Sequence, residues 1–402
     1  MKPYDDMVIQ PLASSTTEKH FIMSYKSKRY EISLPLAVLI HELQQNCTKE
    51  DAIVAYIEKM NGKYSLEQVD HIINRFITPL IQKSEKKKSS FLYEKELFSP
   101  DTIDRLSDKF KFLFHKTCIA FILSVAVCLD VLFFCYTGNL LVFNNTISAY
   151  TLFGLLIFMI LSSLFHELGH ASACKFFGLR HGGIGFGLYL NFPVLYTDVT
   201  EVWMLNRAKR MVVNIAGVYF QSIWLIVLLL AFFITRYDTL RYLILMMNLG
   251  FLMTLNPFFK FDGYWMMSDL LGVPNLRSRS KELFLYLYNK IRKRSIGPVP
   301  YLLQIRSVEK WGLLVYSLVV NLFMAFYFFY IIPAFLCRFY SSFPKEVVDL
   351  ILYLSNGLTP PFALLRNIVM QVIFLVLIAF FLYKLVQPVI SFYGKLRTNT
   401  KS

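Results

Sequence analysis

Apolar stretches of about 20 residues recur along this chain, each long enough to cross the hydrocarbon core of a bilayer. They lie near residues 117–137, 150–174, 209–234, 240–258, 312–335 and 364–386. Soluble domains are ordinarily less apolar than this chain, which is 55% hydrophobic over 402 residues with a mean hydropathy of +0.47. Its 38 Phe and 24 Tyr suit lipid-facing helices with interfacial anchors. The expected fold class is a polytopic α-helical membrane protein of about six transmembrane helices. A small N-terminal α+β, winged-helix-like soluble domain is expected in front of them.

The net charge of +15 raises the question of nucleic acid. Lys and Arg, however, gather beside the apolar runs and form no motif that reads bases, so nucleic acid is excluded as a partner. Lys83, Lys86, Lys87 and Lys88 precede the first span, KIRKR (290–294) separates the fourth from the fifth, and Lys395, Arg397 and Lys401 lie in the tail. In a six-span topology these fall on one side, whereas TGNLLVFNNTIS (137–148) falls on the other and carries no charge. Both termini are therefore expected in the cytoplasm. The opening residues MKPYDDMVIQPLASSTTEKH are polar and lack the apolar core of a signal peptide, so insertion is expected to use internal spans. Cys47, Cys118, Cys128, Cys135, Cys174 and Cys337 are scattered without a C-x-x-C pair, which argues against a disulfide framework or a thiolate metal site.

Residues 1–90 read as the soluble domain. HFIMSYKSKRYEISL (20–34) alternates apolar and polar residues about KSK, a hairpin pattern. Three short helices should follow: one in LPLAVLIHELQQN, one opened by Thr48 with Asp51 three residues on, and one in SLEQVDHIINRFITPLI. After the basic run KSEKKKSS, residues 91–116 mix aromatics and charges like a linker lying on the membrane surface. Residues 117–402 make up the membrane-embedded part.

The second apolar run ends in SSLFHELGH (162–170). Ionisable groups in that setting are costly and usually functional. His166 and His170 are four residues apart, so a helix puts both on one face. Two imidazoles so placed can take adjacent corners of a zinc tetrahedron, with Glu167 beside them to reach a water on the metal, the H-E-x-x-H arrangement of metallopeptidases. HELQQ in the front domain begins alike, but Gln45 stands where a second histidine would be needed, so His41 and Glu42 read as a solvated helix face. A catalytic zinc wants three protein ligands. TLNPFFKFDGYW (254–265) is where the third is expected: Pro257 breaks the helix, and Asp262 with Gly263 makes a turn able to aim a carboxylate inwards. Asn256 in the same break is a candidate oxyanion donor.

Between the second and third spans, FGLRHGGIGFGLYLNFPVLYTDV (177–199) reads as a hairpin whose edge could pair with an extended peptide. A re-entrant connecting loop is the alternative. His181 within it reads as a loop histidine. Asp198 and Asp269 read as loop acids, with support of the metal ligands as the other reading.

HELGH at the end of a membrane span, followed by NPFFKFDG at the end of a later one, resembles the site-2 protease family of membrane-embedded zinc metalloproteases. NFPVLYTDVTEVWMLNRAKR (191–210) and DGYWMMSDLLGVPNL (262–276) resemble more closely a subgroup of peptide zinc metalloproteases found with bacterial peptide-modification and export systems. The resemblance spans roughly residues 150–280. It implies that His166, His170 and Asp262 hold one Zn²⁺ and that Glu167 is the catalytic base. NIAGVYFQ (214–221) matches the family's central-span motif loosely, with Gly217-Val218 and Gln221 in place of Gly-Pro and a following Asn, and no role carries over to Gln221. The front domain resembles the PqqD-like fold, which captures leader peptides, on the order hairpin then three helices.

Together these imply a zinc metalloendopeptidase of the bacterial inner (cytoplasmic) membrane, multi-pass with a cytoplasmic N-terminus. Its substrate would be a small peptide precursor or a membrane-associated protein. Its partners would be the lipid bilayer and a peptide-modifying enzyme or ABC-type exporter. The alternatives are a non-proteolytic membrane protein that binds a peptide and assists its export, and a regulated intramembrane protease acting on a signalling protein.

Overall fold

A computed structural model describes residues 4–12, 20–25, 28–82, 93–138, 149–189, 192–292, 301–361 and 363–376, with residues 378, 379 and 383. The turn at Lys26 and Ser27, the basic run 83–90, most of the uncharged loop, the end of KIRKR, the last part of the sixth expected span and the basic tail lie outside the described residues.

Strands β1 (Val8–Leu12), β2 (His20–Tyr25) and β3 (Lys28–Ser33) form an antiparallel sheet in that order, with Val8 opposite Ser24 and Phe21 opposite Ile32. The alternating hairpin is β2–β3. β1 is an addition to it, and its Pro11 is tolerated because β1 is an edge strand, where a missing N–H breaks no inner ladder. Helix α1 (Leu34–Gln45) has Pro35 in its first turn, where the amide would be unpaired anyway. Helix α2 (Lys49–Lys59) is capped by Thr48, whose Oγ1 accepts from the Asp51 N–H at 3.1 Å. A Ser65–Gln68 capping box opens α3 (Leu66–Ile72), which continues through a π turn at Ile73–Ile77 into α4 (Thr78–Gln82). Met7, Met23, Leu39, Ile40, Tyr56 and Val69 sit in the core these elements share. The solvated-face reading of HELQQ holds for His41 and Gln45, which are exposed and bonded to each other at 3.0 Å. It fails for Glu42, which is 3% exposed and paired with Lys59 at 2.6 Å, because that partner comes from α2 and leaves no mark on the pattern of α1.

The segment expected to lie flat on the membrane forms strand β4 (Glu94–Phe98) and helix α5 (Pro100–Phe110). Then come α6 (Lys116–Tyr136), α7 (Ala149–Phe176), β5 (Ile184–Tyr189) and β6 (Phe192–Thr197). The sheet order is β4-β5-β6, so the expected hairpin is present and gains a strand from the supposed linker. Lys175 near the end of α7 bonds both Asp104 oxygens at 2.7 Å, which holds α5 against protein.

The chain continues with α8 (Arg207–Thr235), α9 (Asp238–Thr254), α10 (Asp262–Leu271), α11 (Leu276–Ile291), α12 (Ser307–Phe326) and α13 (Ile332–Ser355). Among the described residues, four helices are long and apolar enough to cross a membrane: Lys116–Tyr136, Phe153–Phe176, Arg207–Thr235 and Ser307–Ser355. The fourth expected span is α9, whose 17 residues rise about 25 Å. The sixth is represented by the shorter apolar helix Ala363–Val376. The fifth expected span does not end near 335; the helix runs on through a π turn at Tyr327–Ile331 to Ser355, and stops before Gly357, which adopts φ +67°.

Two compact units divide the chain: Met1–Ser89, Glu94–Phe186 and Leu195–Leu314 form one, and Ser90–Tyr93, Gly187–Val194 and Val315–Ser402 the other. Within the first, α7 and α8 approach to backbone contact at Gly169, where a Cβ would stand 2.5 Å from the Ala216 carbonyl oxygen. Ala171, Ala173, Cys174, Val213, Ala216 and Phe220 fill that seam. Within the second, Phe335 meets Phe374 edge-on at 4.4 Å, and Gln371 Nε2 donates to Glu346 Oε2 at 3.1 Å.

Candidate metal centre

On α7 the Nε2 atoms of His166 and His170 lie 3.2 Å apart. Asp262, the first residue of α10, brings its Oδ2 to 3.0 Å from His166 Nε2 and 3.2 Å from His170 Nε2. Those three sides are close to the edge of about 3.3 Å in a tetrahedron whose metal–ligand bonds are about 2.0 Å. Asp262 Oδ2 is buried and has no hydrogen-bond donor, the state expected of an oxygen meant for a cation. Among the described residues, these three ligand atoms are the ones that gather closely enough to hold a metal ion.

The far nitrogens of both rings are held by α8. His170 Nδ1–H donates to the Val213 carbonyl at 2.8 Å, and His166 Nδ1 meets Gln221 Oε1 at 3.1 Å. A carbonyl can only accept, so His170 keeps its proton on Nδ1 and turns the Nε2 lone pair inwards. Gly217 lies under the His166 ring, and a Cβ there would stand 2.3 Å from the ring's Cε1 and 2.4 Å from its Nε2. Gly217→Ala must therefore push the ring aside. It is expected to weaken zinc binding by roughly 10- to 100-fold, the range for disturbed outer contacts, as read by chelator competition. Wild-type affinity in that variant would show that the ring has a second seat.

Gly263 is also bound by close approach, since a Cβ on it would fall 2.0 Å from the Leu255 carbonyl oxygen. The chain thus doubles back tightly between the end of α9 and Asp262. In that break, Asn256 Oδ1 accepts from the Phe258 N–H at 2.8 Å, so its carbonyl oxygen serves the loop and its NH₂ is the end an oxyanion would require. Glu167, 8% exposed, follows His166 on α7; the Thr197 hydroxyl at the foot of β6 reaches its backbone oxygen at 3.4 Å.

Other candidates sit apart from the triangle. His181 bonds the fully buried Ser107 of α5 at 3.1 Å and the Gly182 carbonyl at 2.9 Å, a loop-to-helix tie. Asp198 accepts from the Thr200 N–H at 3.0 Å and from its hydroxyl, just ahead of the 3-10 turn Thr200–Met204. Asp269 is no loop acid: it lies within α10, 4% exposed, bonded to Arg210 Nε at 2.6 Å and Asn214 Nδ2 at 2.7 Å. Sequence reasoning gave no role to Gln221 or to the Val213 carbonyl. The second carries no side-chain signal. The first could have been found by noting that Gly217 and Gln221 share a face of α8, one turn apart.

No protein-family model and no solved structure matches the chain. A curated Bacillus subtilis (strain 168) protein named "Putative peptide zinc metalloprotease protein YydH" is similar to it, with 28% identity over 121 residues. The match covers 30% of this chain and 48% of that protein, so the chain spans about half the length of this curated relative.

Proposed function

We propose that the chain is a membrane-embedded zinc metalloendopeptidase of the site-2 protease kind, hydrolysing a peptide bond in a small peptide precursor or membrane-associated substrate during peptide maturation or export. The observation that carries this reading is the convergence of His166 Nε2, His170 Nε2 and Asp262 Oδ2 within 3.0 to 3.2 Å of one another, beside a buried glutamate. One Zn²⁺ per chain is held by those three atoms. Two neutral imidazoles and one carboxylate leave the site a net positive charge, and an oxygen without a donor suits a cation better than an apolar pocket.

Zinc, when bound, supplies Lewis acidity towards a carbonyl and lowers the pKa of a water it touches. Glu167 takes the proton of the attacking water and passes it to the leaving amine. Asn256 offers its NH₂ to the oxyanion that develops on the scissile carbonyl. Val213 and Gln221 keep the two imidazoles aimed while this happens.

Residues 1–90 act as a PqqD-like capture domain that adds a leader peptide beside its sheet edge, residues 91–116 link it to the membrane, and residues 117–402 are the protease. The protein is placed in the bacterial cytoplasmic membrane as a multi-pass chain with a cytoplasmic N-terminus. Precursor arrives from the cytosol, and a peptide-modifying enzyme or an ABC-type exporter works alongside.

Metal analysis of the purified protein tests the reading. Stoichiometric zinc, lost in His166→Ala, together with peptide cleavage that a chelator abolishes, is the expected result. A protein that binds peptide yet carries no zinc would instead be an accessory to export. Undiminished cleavage after deletion of residues 1–90 would remove leader capture from the scheme.

A further inference from the structure

We propose that Gln221 is a positioning residue, which together with Ser162 sets the tautomer of His166 and so decides which ring nitrogen faces the metal; this rests on the zinc reading above. The relay starts and ends on α7. Ser162 precedes His166 by four residues, so the two are stacked one turn apart on the same face. Gln221 reaches across from α8 and touches both.

The direction of the amide follows from its partners. Gln221 Nε2 lies 3.0 Å from Ser162 Oγ and 3.5 Å from the Ser162 carbonyl oxygen. A backbone carbonyl can only accept, so the NH₂ end belongs on the Ser162 side and Oε1 on the His166 side. Oε1 is then an acceptor 3.1 Å from His166 Nδ1, which must carry the proton. His166 Nε2 is left as a lone pair within 3.0 Å of Asp262 Oδ2. With the amide turned over, NH₂ would face Nδ1 and drive the proton to Nε2. Nε2–H would then donate to Asp262, and the triangle would close on a hydrogen bond in place of a cation.

The two histidines are unequal in this respect. His170 is oriented by the Val213 carbonyl, a group no side-chain substitution removes. His166 depends on a side chain, and Ser162, 4% exposed, is shielded from water that could replace it. Gln221 is also neutral, so it orients the ring without adding charge to the centre.

The test is zinc affinity of the full-length protein by chelator competition, with the visible spectrum of the Co²⁺-loaded form as a second readout. Gln221→Met keeps length and apolar bulk but offers no acceptor; it is expected to bind zinc roughly 10- to 100-fold more weakly and to shift the Co²⁺ spectrum. Gln221→Glu restores an acceptor and should stay within a few-fold of wild type. Wild-type affinity in Gln221→Met, or equal losses in both variants, overturns the relay alone, since the residue would then be idle or merely filling space. A wild-type protein that binds no zinc overturns the zinc reading and the relay with it.

Discussion

Glu167→Gln should bind zinc as wild type does and lose peptide cleavage by on the order of 10²- to 10⁴-fold, the usual contribution of a positioned acid–base group. Glu167 is adjacent to His166 and therefore turned about 100° from the face that His166 shares with His170. The ligand triangle accordingly draws on His166, His170 and Asp262 and leaves Glu167 out. Glutamine matches glutamate in shape, so a side chain only 8% exposed should keep its packing. What it loses is the ability to take a proton from water and give it to an amine. Zinc content and cleavage of a quenched-fluorescence peptide library, measured on the same preparation, separate the two effects. Loss of zinc together with activity would make Glu167 part of the metal's support, and wild-type turnover would dismiss it as the base.

Several parts of this molecule were readable because local spacing dictates them. Four residues between His166 and His170 suffice to put both rings on one face, and Thr48 with Asp51 suffices to start α2, whose cap the structure contains. The β2–β3 hairpin follows from alternation in the same way. Features that depend on distant partners were not readable. Nothing in EKELF marks it as the third strand of a sheet whose other members begin about ninety residues later, since β4 is exposed throughout and carries charges. The burial of Glu42 depends on Lys59, and that of Asp269 on Arg210 and Asn214. Likewise the length of the helix Ser307–Ser355 was hidden: an apolar window sees where hydropathy falls, near 335, but not that the backbone stays helical beyond it. For the site, the break at Asn256-Pro257 marks where the chain turns, while the arrival of Asp262 at 3.0 Å from His166 depends on how α10 packs on α8.

That packing rests on a buried ion pair between Arg210 and Asp269. Arg210→Met alone is expected to lower the unfolding free energy by about 3–5 kcal/mol, because it leaves the Asp269 carboxylate buried with its charge uncompensated. Arg210 is 3% exposed, bonds Asp269 at 2.6 Å and lies over the Trp203 ring at 5.0 Å, so water cannot readily take its place. The double variant Arg210→Met with Asp269→Leu removes both charges and should be distinctly less destabilised than either single one, as denaturation in detergent would show. The site gives this pair a consequence beyond stability. Asp262 and Asp269 are seven residues apart, close to two helical turns, and so lie on one side of α10. Along α8, Arg210 and Asn214 hold Asp269 while Val213, Gly217 and Gln221 hold the imidazoles. One helix thus sets the position of both histidines and of the carboxylate that meets them. The double variant should therefore fold and still bind zinc more weakly than wild type, because an apolar pair restores burial but not the directed bonds that fix α10. Wild-type zinc affinity in that variant would mean that the turn at Asn256–Gly263 alone is enough to place Asp262.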